Sequence, residues 1–97
     1  MIVEWSEQAA AQLLAIRDYL ARSSPGYAQT LAERIIQRTE SLANLPLLGA
    51  EVAEYGDESI REIIEHPYRI LYRASAERIQ IAAVVHAARR LPRTPPT

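Results

Sequence analysis

The sequence predicts an α+β domain in which a helical hairpin lies on one face of a small, mainly antiparallel sheet, in the order β-α-α-β-β-β. Three observations carry this expectation. Two stretches with helical apolar spacing, Ala9 to Leu20 and Ala28 to Leu42, are parted only by "RSSPGY". Two runs rich in isoleucine and tyrosine, Ile60 to Ile64 and Arg69 to Arg73, flank the turn "EHPY". A third run, Ile79 to Val85, is nearly all apolar. With 97 residues the chain is one domain, residues 1–97, long enough for a single modest core and too short for two.

Each element has a local cause. "IVEW", Ile2 to Trp5, is a short strand. Ser6 offers an N-cap oxygen, and Glu7 puts negative charge on the first turn, where the helix dipole favours it. Ala9, Leu13, Ile16 and Leu20 then form one apolar stripe of a helix reaching about Arg22. Ser24 is expected to cap a second helix with Pro25 at its first position, where the missing N–H costs nothing. Ala28, Leu31, Ile35, Ile36, Thr39 and Leu42 continue that helix, which must stop near Asn44 because Pro46 disfavours helix in the residue before it. The acidic stretch after "LPLLG" reads as a loop to about Glu58 with one brief extended piece. The hairpin follows, "ASAE" turns again, and Ile79 to Val85 reads as an inner strand covered on both faces. The far face of the sheet is otherwise expected to be open.

Within the hairpin, side chains alternate across the strand. Tyr68, Ile70 and Tyr72 share a core face, whereas Arg69, Leu71 and Arg73 share the other. Tyr68, Tyr72 and Trp5 are read as core aromatics rather than base-stacking ones. Arg61 alternates with Glu62, so it points to the helix side as a structural ion-pair former.

Hydrophobic residues at 48% and charged residues at 24% describe an ordinary globular chain. Disorder is expected only at the ends, with residues 91–97, "LPRTPPT", a flexible Pro-rich tail. No apolar run nears the roughly 20 residues that span a bilayer, so no membrane partner is expected. The N-terminus lacks the basic and apolar regions of a secretory signal. Cysteine is absent, which removes disulfides and thiolate metal sites and fits the cytosol. No cofactor and no metal are expected.

The net charge of −1 hides a division. Six acids stand against Arg61 between Glu51 and Glu65, and six arginines stand against Glu77 from Arg69 onward. Either the C-terminal third meets an acidic partner, or the two segments are neighbours in the fold and screen each other. All 11 basic residues are arginine, which serves poorly as a general base or nucleophile.

"VEWS" running into a helix, the "SSP" break, a second helix closing in "LPLLG", the "REI" strand, "YRILYR" and the terminal "VVHAARR" together resemble the RelE/ParE superfamily of toxins from bacterial type II toxin–antitoxin modules. The resemblance covers nearly the whole chain. It implies a compact α+β toxin held inactive by a cognate antitoxin, whose disordered segment folds as it wraps the toxin. Operator DNA would be met only through that antitoxin.

The superfamily divides by target. RelE-like members cut messenger RNA in the ribosome, whereas ParE-like members poison DNA gyrase without known hydrolysis. RNA cleavage needs a base, a cation for the crowded phosphate and an acid for the leaving oxygen. By resemblance, Arg69 and Arg89 match two arginines of the ribonuclease members, and His86 is the one candidate for proton transfer. The lysine positions of those members fall about at Ile60 and Glu62, and their C-terminal tyrosine falls within "TPPT". The alternative reading of His86 is a strand-end hydrogen-bonding residue, and His66 reads as a turn residue.

The ParE-like branch therefore fits better: a gyrase inhibitor, with no catalytic residues favoured. The alternatives are a ribosome-dependent endonuclease built on Arg69, His86 and Arg89, or a degenerate module that binds antitoxin without toxicity. Arg69, Arg73, Arg89, Arg90 and Arg93 are the expected target-binding set. Their bland alternative is a solvated basic face, or pairing with Glu62 and Glu65 across the hairpin, worth about 0.2–1 kcal/mol per exposed pair. The helix stripes Leu13 to Leu20 and Leu31 to Leu42 are read as core, with Leu13, Leu20, Leu31 and Ile35 at the edges as the expected border of a groove filled by an antitoxin helix.

Overall fold

Ser6 turns the first strand into a helix in the computed structural model, which describes residues 1–97. β1 (Ile2–Trp5) ends at Ser6, whose hydroxyl oxygen accepts from the Ala9 N–H at 3.0 Å and so starts α1 (Glu7–Ala21). α2 (Pro25–Ser41) begins at proline as expected, but the Ser24 side chain makes no cap bond; its backbone carbonyl takes the Ala28 N–H instead. β2 (Ala50–Glu51), β3 (Ile60–Glu65), β4 (Tyr68–Ala74) and β5 (Arg78–His86) complete the chain. The five strands lie in the order β1-β5-β4-β3-β2, antiparallel except where β1 runs parallel to β5. The expected fold is therefore the observed one, with the brief extended piece realised as β2.

The helical stripes close on one face of the sheet. Ala9, Leu13, Leu31, Ile35 and Leu42 meet Ile63, Tyr68, Ile70, Tyr72, Ile79, Ile81 and Val84 in a single core, with Trp5, Ile16 and Leu20 packed at its border. Each large aliphatic side chain fully buried there contributes about 1.5–3 kcal/mol. The one buried polar side chain, Thr39, donates to the Ile36 carbonyl at 2.7 Å, so its hydroxyl is not left unpaired.

β5 changes phase midway. Leu71 is opposite Ala83 but Tyr72 is opposite Ile81, so Ala82 is an extra residue in β5. Ile79, Ile81 and Val84 thereby face the helices, while Ala83 and Val85 face the other way.

The expectation of an open far face is corrected. Val52, Ile60, Leu71, Ala83 and Leu91 form a second small core there, flanked by Tyr55 and Val85. The cover comes from the turn after β2 and from residues 91 and 92, where the Tyr55 hydroxyl donates to the Pro92 carbonyl at 2.7 Å. Apolar side chains on both faces of β4 and β5 would leave a large exposed patch if only one face were covered. The tail expected to be flexible from residue 91 thus starts with a buried leucine.

Tyr72 ties the "LPLLG" turn to the sheet. Its hydroxyl accepts from the Gly49 N–H at 3.0 Å and donates to the Pro46 carbonyl at 2.9 Å. Arg61 does point to the helix side, but it bonds two carbonyls, Gly49 O at 2.8 Å and Glu58 O at 3.1 Å, rather than a carboxylate. A Cβ on Gly49 would stand 2.4 Å from the Glu62 carbonyl and 2.8 Å from the Tyr72 ring, both held in place by the sheet.

Gly49→Ala is therefore expected to destabilise the fold by about 1–3 kcal/mol through overpacking. Tyr72→Phe should cost a similar ~1–3 kcal/mol by leaving the Gly49 N–H unpaired. Urea unfolding measures both, and wild-type midpoints in the two variants would show that the turn is not clamped.

Candidate functional site

On the far face, β3 and β4 place Glu62 beside Arg69, and the turn after β2 brings Glu54 to the same guanidinium. Arg69 donates to Glu62 through Nε at 2.8 Å and Nη2 at 2.7 Å. It donates to Glu54 through Nη1 at 2.7 Å and Nη2 at 2.9 Å. Both contacts are bidentate, the geometry that suits a planar guanidinium to a carboxylate. The Arg69 and Glu62 side chains are only 13% and 12% exposed, whereas Glu54 is 44% exposed. The hydrogen bonds from Arg69 pull the Glu54 carboxyl down to about 2, and the same bonds push the Arg69 pKa above its ordinary value. One cation between two carboxylates leaves a net negative cluster. Arg69 was expected to look outward as part of a target surface; the structure instead gives its donors to the protein's own acids, because the acidic and basic segments are neighbours.

Arg73, four residues along β4 on the same face, is half-buried, and its Nε has no hydrogen-bond partner. The Ser59 hydroxyl and N–H hold the Asp57 carboxyl below its ordinary value, and the charge of Arg73 acts in the same direction.

His86 belongs to the opposite face. It pairs with Tyr68 across β4 and β5, and the two rings meet edge to face with centroids 5.5 Å apart. Arg69 pairs with Val85, one residue away and therefore on the other side of the sheet. The His86 Nδ1 accepts the Ala88 N–H at 3.0 Å, a strand-end role that holds the turn after β5. His86 and Arg89 share a cleft of about 570 Å³ against α1. The structure thus brings His86 and Arg89 together and leaves Arg69 on the other face of the sheet.

Arg89, Arg90 and Arg93 are exposed and take part in no ion pair. The helix stripes are core as expected: Leu13, Leu31 and Ile35 are buried against the sheet and Leu20 packs at the border of that core. Two features escaped sequence reasoning, Glu54 as a partner of Arg69 and the cleft wall made by Gln12, Ala15 and Tyr19. The only sequence signal for the cleft is that these three share a helical face beside the core stripe. No group of three or more His, Asp or Glu side chains is placed to hold a metal ion, and no helix is long and apolar enough to cross a membrane.

Residues 3–91 match the family model described as the ParE toxin of the type II toxin–antitoxin system parDE. The chain is similar to the protein named Toxin RelE2 of Caulobacter vibrioides, with 36% identity over 88 residues that cover 90% of this chain and 96% of the relative. It is also similar in structure to a chain of the chromosomal ParDE TA system from P. aeruginosa. That match has a TM-score of 0.74 and 25% identity, covering 89% of this chain and 95% of the other.

The Arg69 cluster yields two expectations. Arg69→Ala leaves the largely buried Glu62 carboxylate unpaired and should cost about 3 kcal/mol, whereas Glu54→Gln loses an exposed arm worth less than about 1 kcal/mol. Equal losses in chemical unfolding would contradict the burial difference. Because the folded-state pKa of Glu54 is depressed from 4.5 to about 2, its contribution is present above pH 4.5 and lost as pH falls toward 2. The stability gap between wild type and Glu54→Gln should therefore close across that window.

Proposed function

The chain belongs to the ParE family of toxins from type II toxin–antitoxin systems, and on that basis we propose that a cognate antitoxin neutralises it and that it inhibits DNA gyrase without hydrolytic chemistry of its own. The observation that carries the second half is the separation of Arg69 from His86. General acid–base cleavage of RNA needs its cation and its proton carrier within reach of one phosphate. Here Arg69 is bound by Glu54 and Glu62 on one face, and the imidazole stands on the other. At the two places where the ribonuclease branch resembles itself in carrying lysine, Ile60 is buried in the far-face core and Glu62 is bound to Arg69.

A gyrase-binding surface needs shape and unpaired charge instead. Arg89, Arg90 and Arg93 supply that charge, with Arg73 half-buried on the far face of the sheet; Arg69 contributes by holding that face together. The ribosome-dependent ribonuclease remains the second reading, favoured by the name of the Caulobacter relative and by His86 beside Arg89 in one cleft.

Purified protein should inhibit gyrase supercoiling and leave ribosome-bound message intact. Arg90→Glu with Arg93→Glu should weaken inhibition about tenfold, the loss of roughly 1.4 kcal/mol, with unchanged melting. Message cleavage that disappears in His86→Ala would overturn the gyrase reading. Inhibition of neither target, with a stable antitoxin complex, would identify a binding module without toxicity.

A further inference from the structure

β5 has a stretch of edge that no strand covers. β1 pairs with it only from Arg78 to Ile81, while β5 continues to His86. The cause is Ser6, which turns the chain away into α1 just as β5 passes its extra residue. Side chains meet the uncovered groups instead. The Ser6 hydroxyl donates to the Ala82 carbonyl at 3.4 Å, and the Gln12 Oε1 accepts the Val84 N–H at 2.8 Å. A flexible side-chain amide therefore stands where the carbonyl of another strand would stand.

Beside it lies the cleft of about 570 Å³, within the roughly 300–1,000 Å³ range of binding clefts. Ala15, Ile16 and Tyr19 of α1 form one wall, and Tyr68 and Val84 are buried at the sheet side. No carboxylate lines it. The charge at its rim is Arg89, exposed and in no ion pair. Such a cleft fits an apolar side chain followed by an acid. A strand lies about 4.8 Å from its neighbour and supplies carbonyls to it, whereas a helix about 10 Å across spends its own carbonyls internally.

We propose that an extended segment of the antitoxin adds to β5 along Val84–His86, displacing the Gln12 amide. It seats an apolar side chain against Ile16 and Tyr68 and sets a carboxylate against Arg89. The identity of the partner rests on the toxin reading; the geometry of the site does not.

The test uses the full chain and the antitoxin encoded beside it, with amide hydrogen exchange at Val84 and a binding titration. In the free protein, Gln12→Ala should speed Val84 exchange at least about tenfold, and complex formation should restore protection. Ala15→Arg fills the cleft from an exposed helical position and should weaken the complex about a hundredfold with unchanged melting. Arg89→Glu, on an exposed turn, should weaken it about tenfold. A complex that leaves Val84 unprotected in Gln12→Ala, or that ignores both charge variants, overturns the proposal while the toxin reading stands. Failure of the wild-type pair to associate overturns both.

Discussion

The rest of the structure depends on β5 being apolar on both faces. A strand of this kind must be covered twice, and the two covers here are unequal. The helical hairpin covers one side with a full core. A turn, two residues of the C-terminal segment and a tyrosine cover the other. The extra residue at Ala82 lets one strand serve both: without it, Ile79, Ile81, Ala83 and Val85 would share a face, and Val84 would leave the helical core. The same irregularity coincides with the place where β1 gives way to α1, so the sheet's uncovered edge and the cleft beside it have one origin.

The far-face cover also decides the electrostatics. The turn that brings Val52 and Tyr55 onto the sheet carries Glu54 to Arg69. Once this guanidinium holds two carboxylates, four of its five N–H donors are spent, and a phosphate seeking a bidentate grip would have to displace acids rather than water. The basic character expected along β4 is thereby cancelled locally, and unpaired positive charge survives on the segment after β5. A surface that grips by charge and shape is consistent with this distribution. Arg69 and His86 do not converge, since their positions on β4 and β5 point to opposite sides of the sheet.

Much of the fold was legible in the chain. The Ser6 cap, the stripe from Ala9 to Leu20, the proline start of α2 and the alternation of Tyr68, Ile70 and Tyr72 against Arg69, Leu71 and Arg73 depend only on near neighbours and on the period of helix or strand. The candidate site was less so. Arg89, Arg90 and Arg93 were found by their charge alone. The core role of Leu13, Leu31 and Ile35 was legible from their spacing, but an apolar stripe does not show which of its edges stays open once a sheet covers it. Ser24 made no side-chain cap because its carbonyl, not its hydroxyl, meets the helix.

By itself the sequence determined the elements, their order, the family resemblance and which residues of the β3–β4 hairpin share a face. The tertiary structure alone decided that Tyr72 clamps Gly49, that Leu91 closes the second core, that Glu54 joins Glu62 on Arg69, and that His86 lies across the sheet from that cluster. The physical reason is range. Periodicity and capping act over three or four residues, whereas these contacts join positions 15 or more apart, whose meeting is set by the twist, register and single bulge of the assembled sheet.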